Sequence, residues 1–184
     1  MKTRDIVMIA MFTAFISVMA FIPPIPLPIM PVPIVLQNIG IILAGCLLGY
    51  KRGTLSVVIF LLLVAIGLPV LSGGRGGLGV FFGPSAGYLI GYPIVAFLIG
   101  FFIDKKWKKL TFVYALCVNL IIGVLLLNII GGYAMGEFMN VSIIHRYKLA
   151  AAFLPGDIVK AVLATMLLFS LKNVPEIKRL RQNG

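Results

Sequence analysis

Apolar residues run almost unbroken through long stretches of the chain, and each break between them is a short cluster of charge, proline or glycine. At roughly 20 residues per membrane crossing, 184 residues with short connections allow about six spans. The runs predict helices over about 5–22, 34–49, 54–71, 83–103, 110–130 and 155–171, packed as one membrane domain covering 1–184. The first run follows Lys2 and Arg4, is long enough to span, and has no Ala-x-Ala-like site after it, so it reads as a membrane helix and not as a cleaved signal.

The breaks are of two kinds. Three are polar or conformationally irregular: the proline-rich 23–33, the glycine-rich 72–82, and 131–154, whose Glu137, Asn140, His145, Arg146 and Lys148 suit a short interfacial helix or cap. The others are basic. Lys2 and Arg4, then Lys51 and Arg52, then Lys105, Lys106, Lys108 and Lys109, and finally Lys172, Lys178, Arg179 and Arg181 account for twelve of the 16 basic residues. Placing these on one side puts both termini in the cytoplasm and the three irregular segments outside.

Composition agrees with this pattern. The chain is 61% hydrophobic with a mean hydropathy of +1.12 and only 11% charged residues, which excludes a soluble domain. Its net charge of +11 is distributed as membrane-flanking clusters, so it does not indicate nucleic acid. Cys46 and Cys117 lie in apolar runs without Cys-x-x-Cys spacing, and His145 has no companion ligand, so no disulfide framework or metal site is expected.

Candidate chemistry gathers at two places. Arg75 stands among Gly73, Gly74, Gly76 and Gly77, where the backbone can turn sharply or approach a ligand closely; a turn that merely wets the surface fits the same residues. Asp157 and Lys160 lie one turn apart on one face of the last span, as its only acid and base. Even mild scales charge about 2.5–3.5 kcal/mol for such a residue at mid-bilayer. Lys160 lies roughly 7 Å below the helix start at 1.5 Å per residue, in the outer part of the bilayer. Asp157 could instead serve the helix dipole with Lys160 paired to it.

Gln37 and Asn38 are adjacent amides near the start of the second span, available to a neighbouring helix or a ligand. Gly83, Gly87 and Gly91, at four-residue spacing, make a small face for packing or for close ligand approach. Asn119 and Asn128 are nine residues apart, which at 100° per residue places them on opposite helix faces. A basic pair bracketing one carboxylate between apolar helices suits a small ligand with a carboxylate at one end and a hydrogen-bonding head at the other. Nothing resembles an activated nucleophile, a paired-carboxylate site or a phosphate-binding loop, so catalysis is not expected. A bundle this small would borrow ATP hydrolysis from partners.

The chain resembles the biotin-specific substrate-binding (S) component of energy-coupling factor (ECF) transporters, the BioY family. The likeness rests on Pro-Val-Pro-Ile-Val-Leu-Gln (31–37), Leu-Ala-Gly-Cys-Leu-Leu-Gly (43–49), Gly-Gly-Arg-Gly-Gly-Leu-Gly-Val (73–80), Gly-Pro-Ser-Ala-Gly-Tyr-Leu-Ile-Gly (83–91) and Phe-Leu-Pro-Gly-Asp-Ile-Val-Lys-Ala (153–161). Ser85-Ala86 and Ile34-Val35 depart from the family's commoner residues. The resemblance implies an all-α integral membrane protein of six helices in the cell membrane. It would bind biotin from outside and work with a transmembrane coupling (T) protein and two cytoplasmic ABC-type ATPases. It would need no cofactor of its own. The substrate-binding residues implied are Asp157, Lys160, Arg75, Gln37, Gly74, Gly76 and Tyr88, with Asp157 accepting the ureido N–H groups. Ala10-x-x-x-Ala14 would be the motif that docks on the coupling protein. Another vitamin-specific S component and a membrane-embedded enzyme are the alternative readings.

Overall fold

A computed structural model describes residues 3–24 and 35–182. Most of the proline-rich connector expected at 23–33 lies outside the described residues. The elements are α1 (Thr3–Val18), α2 (Gln37–Ala65), α3 (Ala86–Lys106), α4 (Phe112–Val118), α5 (Leu127–Phe138), α6 (Ile143–Ala151), α7 (Leu154–Leu171) and α8 (Pro175–Gln182). A π-helical stretch, Asn119–Leu126, joins α4 and α5 into one rod. Among the described residues, five helices are long and apolar enough to cross a membrane: Thr3–Phe21, Gln37–Ala65, Ala86–Lys109, Phe112–Phe138 and Leu154–Leu171.

The second and third spans expected from the sequence form the one stretch α2, and that stretch is not straight. Gly49 has φ 84° and ψ 177°, outside helical space and open to glycine alone at no steric cost. Beyond it the chain folds back. Gly53 packs so tightly on the first arm that a Cβ there would stand 2.4 Å from the Ala44 carbonyl oxygen. At the far ends of the two arms, the Gln37 Nε2 donates to the carbonyl of Val70 at 2.8 Å. A straight helix of this length would hold its ends about 40 Å apart.

Other boundaries differ from expectation too: the second arm of α2 ends at Ala65, short of the expected 71. The rod continues to Phe138, past the drop in hydropathy at Gly131, because Gly131, Gly132 and Gly136 face other helices and not solvent. The basic tail ends in α8, which buries Ile177 and Leu180 in the core. Its Arg181 pairs with Asp104, donates to the Leu47 carbonyl at 3.0 Å and stacks 4.2 Å from the Trp107 ring. The Leu47 carbonyl lies in the last turn before the break at Gly49, where helical donors run out. Nearby, Arg52 bridges the Asp5 carboxylate at 3.0 Å and the Leu180 carbonyl at 3.1 Å, so the basic end is closed by two engaged arginines.

The small face of α3 is a packing face. A Cβ on Gly87 would lie 2.5 Å from that of Ala134, and one on Gly91 2.9 Å from Leu127, while Gly83 lies outside the helix. This close seam between α3 and α5 sets the wall of the cavity at the opposite end from Arg181.

Candidate functional site

The short linker after α6 delivers Phe153 and then α7, whose first turn carries Pro155, tolerated there because the early amides lack helical partners anyway. Asp157 and Lys160 consequently point into the bundle, 6% and 3% exposed. Lys160 Nζ donates to Asp157 Oδ1 at 2.6 Å, and Asn128 Nδ2 donates to Oδ2 at 2.7 Å. Both carboxylate oxygens are therefore held, yet each keeps a further lone pair for an incoming N–H.

A uniform α-helix would set Asn128 on the face opposite Asn119, and the structure overturns this expectation. Both asparagines meet α7: Asn119 Nδ2 donates to Thr165 Oγ1 at 3.0 Å, and Asn128 meets Asp157. The cause is the π stretch between them, whose i→i+5 bonds widen the turn so that each residue advances by less than the α-helical angle. Asn119 also accepts the thiol of Cys46 at 3.3 Å, so that cysteine is a buried packing and hydrogen-bonding residue.

Aromatic residues of α3 form one wall. Tyr88 lies flat against Gly131, where a Cβ would come within 2.3 Å of its ring, and meets Phe153 edge-on at 6.1 Å. Its hydroxyl donates to Asn128 Oδ1 at 3.4 Å, and one turn on, the Tyr92 hydroxyl donates to Asn38 Oδ1 at 2.9 Å. Asn38 thus keeps its NH2 group for another acceptor.

The glycine-rich segment is a tight, stitched turn. Leu71 and Arg75 exchange backbone hydrogen bonds of 3.0 and 3.2 Å, and Gly73 and Gly74 between them take φ of 81° and 69°. The turn returns Arg75 over the cavity, where its Nε donates to the Ser72 carbonyl at 3.3 Å. Gln37 anchors the turn from below: Nε2 donates to the carbonyls of Ile16 and Val70, both at 2.8 Å, and Oε1 accepts Ser72 N–H at 3.3 Å. Its side chain ties α1, α2 and the turn together.

Asp157, Lys160, Arg75, Gln37 and Tyr88 all line one cavity. Asn38, Ser72, Ser85, Tyr92 and Phe153 line it with them and were not selected from the sequence. Asn128 was also missed as a site residue, although an amide in an apolar rod signals a buried partner. Gly74 and Gly76 are not part of the lining: Gly74 makes the turn, and Gly76 is pressed on the Leu68 carbonyl, 2.2 Å from where a Cβ would be. Ala10 and Ala14 lie elsewhere, exposed along an apolar groove between α1 and the second arm of α2 that also includes Thr13, Leu55 and Ile59. Among the described residues, no group of three or more His, Cys, Asp or Glu side chains gathers as a metal site.

Asp157, Lys160 and Arg75 leave the cavity with one uncompensated positive charge, beside aromatic walls and hydrogen-bonding amides. That chemistry suits a flat, polar head and an anionic end.

The BioY family model matches residues 1–176. The biotin transporter BioY of Lactococcus lactis subsp. cremoris is 41% identical over 100% of this chain and 93% of its own length. The probable biotin transporter BioY of Bacillus subtilis is 40% identical over 91% and 89% of the two chains. A crystal structure of the S-component for biotin from an ECF-type ABC transporter superposes with a TM-score of 0.93 at 38% identity, covering 98% of both chains. With the sequence and the fold matching over nearly the whole length, the chain belongs to the BioY family.

Proposed function

We propose that this chain is the substrate-binding subunit of a vitamin uptake transporter, binding biotin from the extracellular side of the plasma membrane and delivering it inward with an ECF coupling module. The carrying observation is the buried Asp157, held between Lys160 and Asn128 at 2.6 and 2.7 Å on the wall of a cavity that Arg75 overhangs. In this reading the ureido N–H groups of biotin donate to Asp157, the Asn38 NH2 donates to the ureido oxygen, and Tyr88 and Phe153 flank the ring system. Lys160 neutralises Asp157, and Arg75 takes the carboxylate. Gln37 positions the lip, and Gly74 and Gly76 shape it.

The reading includes six crossings, with α2 counted as two because its arms fold back at Gly49. Both termini are cytoplasmic, supported by the basic clusters at that end. A T protein docks along Ala10 and Ala14, and two ABC-type ATPases supply the energy, so the chain itself is neither an enzyme nor dependent on a cofactor.

The experiment is equilibrium binding of biotin to the purified protein, alongside a thermal-shift screen of other vitamins. Biotin is expected to stabilise most strongly, and Asp157→Asn and Lys160→Ala to weaken binding sharply. A different best-stabilising vitamin would reassign the substrate, unchanged affinity in both variants would remove the site, and turnover of bound ligand would make the chain an enzyme.

A further inference from the structure

At the basic end of the bundle, opposite the cavity, an aromatic wall lies on the outer surface. The Tyr50 ring stands edge-on to Phe97 and Phe101, with centroids 5.5 and 6.3 Å apart, and Phe97 and Phe101 stack on one another at 6.2 Å. Phe97 is 41% exposed. Two lysines cap this wall: Lys51 Nζ lies 5.5 Å from the Tyr50 centroid, and Lys105 Nζ lies 4.1 Å from that of Phe101.

The nearby carboxylates are already matched. Arg52 holds Asp5, and Arg181 holds Asp104, whose other oxygen accepts the Tyr50 amide at 3.1 Å. Among the described residues, neither Lys51 nor Lys105 forms an ion pair with a carboxylate. Beside Lys51 a crevice opens, lined by Tyr50, Lys51, Trp107 and the two matched pairs, Arg52 with Asp5 and Arg181 with Asp104; Lys105 stands outside its lining.

We infer that this is a binding site for one anionic phospholipid, with an acyl chain along Phe97 and Phe101 and the headgroup phosphate held by Lys51 at the mouth of the crevice and by Lys105 above Phe101. Uncompensated ammonium groups at the membrane boundary attract a phosphodiester, and the exposed Phe97 with the half-buried Phe101 beside it offers an apolar surface to its chain. A zwitterionic lipid brings its own cation to the same place and gains less. The inference is independent of the identity of the ligand in the opposite cavity.

Trp107 is the only tryptophan of the chain and lines the crevice, so its fluorescence reports the site directly. The full-length protein is reconstituted in phosphatidylcholine vesicles containing phosphatidylglycerol, with one lipid or the other brominated near the headgroup end of its chains. Brominated phosphatidylglycerol should quench Trp107 well beyond its share of the bilayer. The double variant Lys51→Gln/Lys105→Gln should lose roughly 30-fold in relative affinity, taking each lysine's contribution as additive. The charge-matched Lys172→Gln/Lys178→Gln should retain most of the preference. Equal quenching by the two lipids, or equal loss in both double variants, overturns the site. Inorganic phosphate at constant ionic strength should leave quenching unchanged, and displacement by it would overturn the assignment to a lipid. Melting temperatures of both variants, expected to match the parent, keep misfolding from imitating the result.

Discussion

Asn128 and Asp157, 29 residues apart in the chain, meet through an Nδ2 to Oδ2 hydrogen bond of 2.7 Å. This contact fixes the second oxygen of a carboxylate whose first oxygen is held by Lys160, and it links the rod α4–α5 to α7 at the floor of the cavity. Hydrogen bonds to a charged group contribute about 1.5–3 kcal/mol. Asn128→Ala should therefore weaken biotin binding by roughly 10- to 100-fold in titration calorimetry. Asn128→Asp should be worse, because a second carboxylate would face the first at close range; equal affinity in both variants would reduce Asn128 to scaffolding.

The Asp157–Lys160 pair makes opposite predictions for stability and for binding. Removing one partner of a buried pair strands the other, a loss of about 3–5 kcal/mol, whereas replacing both by apolar residues of similar volume is often neutral. Lys160→Ala should thus melt far below the parent, and Asp157→Leu/Lys160→Met should melt close to it. The double variant should nonetheless fail to bind biotin. Recovery of binding along with stability would show that the pair serves the fold alone.

Gly49, at φ 84° and ψ 177°, holds an extended positive-φ conformation that is essentially glycine's alone and costs an L-residue about 1–3 kcal/mol. A Cβ there would also stand 2.8 Å from Asp104 Oδ2 and 2.9 Å from Arg181 Nη1, inside the ion pair that closes this end. Gly49→Ala should lower the melting temperature in detergent by several degrees, while the folded fraction binds biotin with parental affinity, since the cavity lies at the other end of the bundle. A loss of affinity at unchanged melting temperature would mean that the two ends are coupled through the first arm of α2.

The sequence was informative where chemistry stands out from an apolar background. Asp157, Lys160 and Arg75 are conspicuous among aliphatic residues and glycines, and they line the same cavity. Asn128 was lost because the arithmetic assumed a uniform α-helix, and a π stretch leaves no plain mark in a run as apolar as Asn119–Leu126. Gln37 was legible as a buried amide in need of partners, but its partners are backbone carbonyls of Ile16 and Val70, which composition does not reveal. The helical tail α8 was hidden by its charge: Ile177, Leu180 and the Arg181 side chain turn inward, and a basic sequence around them reads as solvated.

Ala10 and Ala14 are exposed on α1 beside an apolar groove, so a large side chain at either position would project outward without entering the core. Ala10→Trp and Ala14→Trp should abolish co-purification with the T protein and leave biotin affinity within about a factor of two, as expected of surface changes of a few tenths of a kcal/mol. Loss of biotin binding instead would mean that these alanines support the bundle internally.

Among the described residues, Arg75 is the lining cation without a carboxylate partner: Lys160 is paired with Asp157, and Arg75 uses only Nε, on the Ser72 carbonyl. If its guanidinium meets the ligand carboxylate, two changes should remove the same interaction: Arg75→Ala, and replacement of biotin by its neutral amide. Each alone should weaken binding by about 10- to 100-fold, the scale of a charge-assisted hydrogen bond. Made together they should cost little more than either one, because a pair of contacting groups is non-additive. If Arg75 only holds the 71–75 turn closed, the variant should lose the same factor toward biotin and toward the amide. Calorimetric affinities for the four combinations distinguish these outcomes, and a coupling energy near zero would leave the carboxylate to another group.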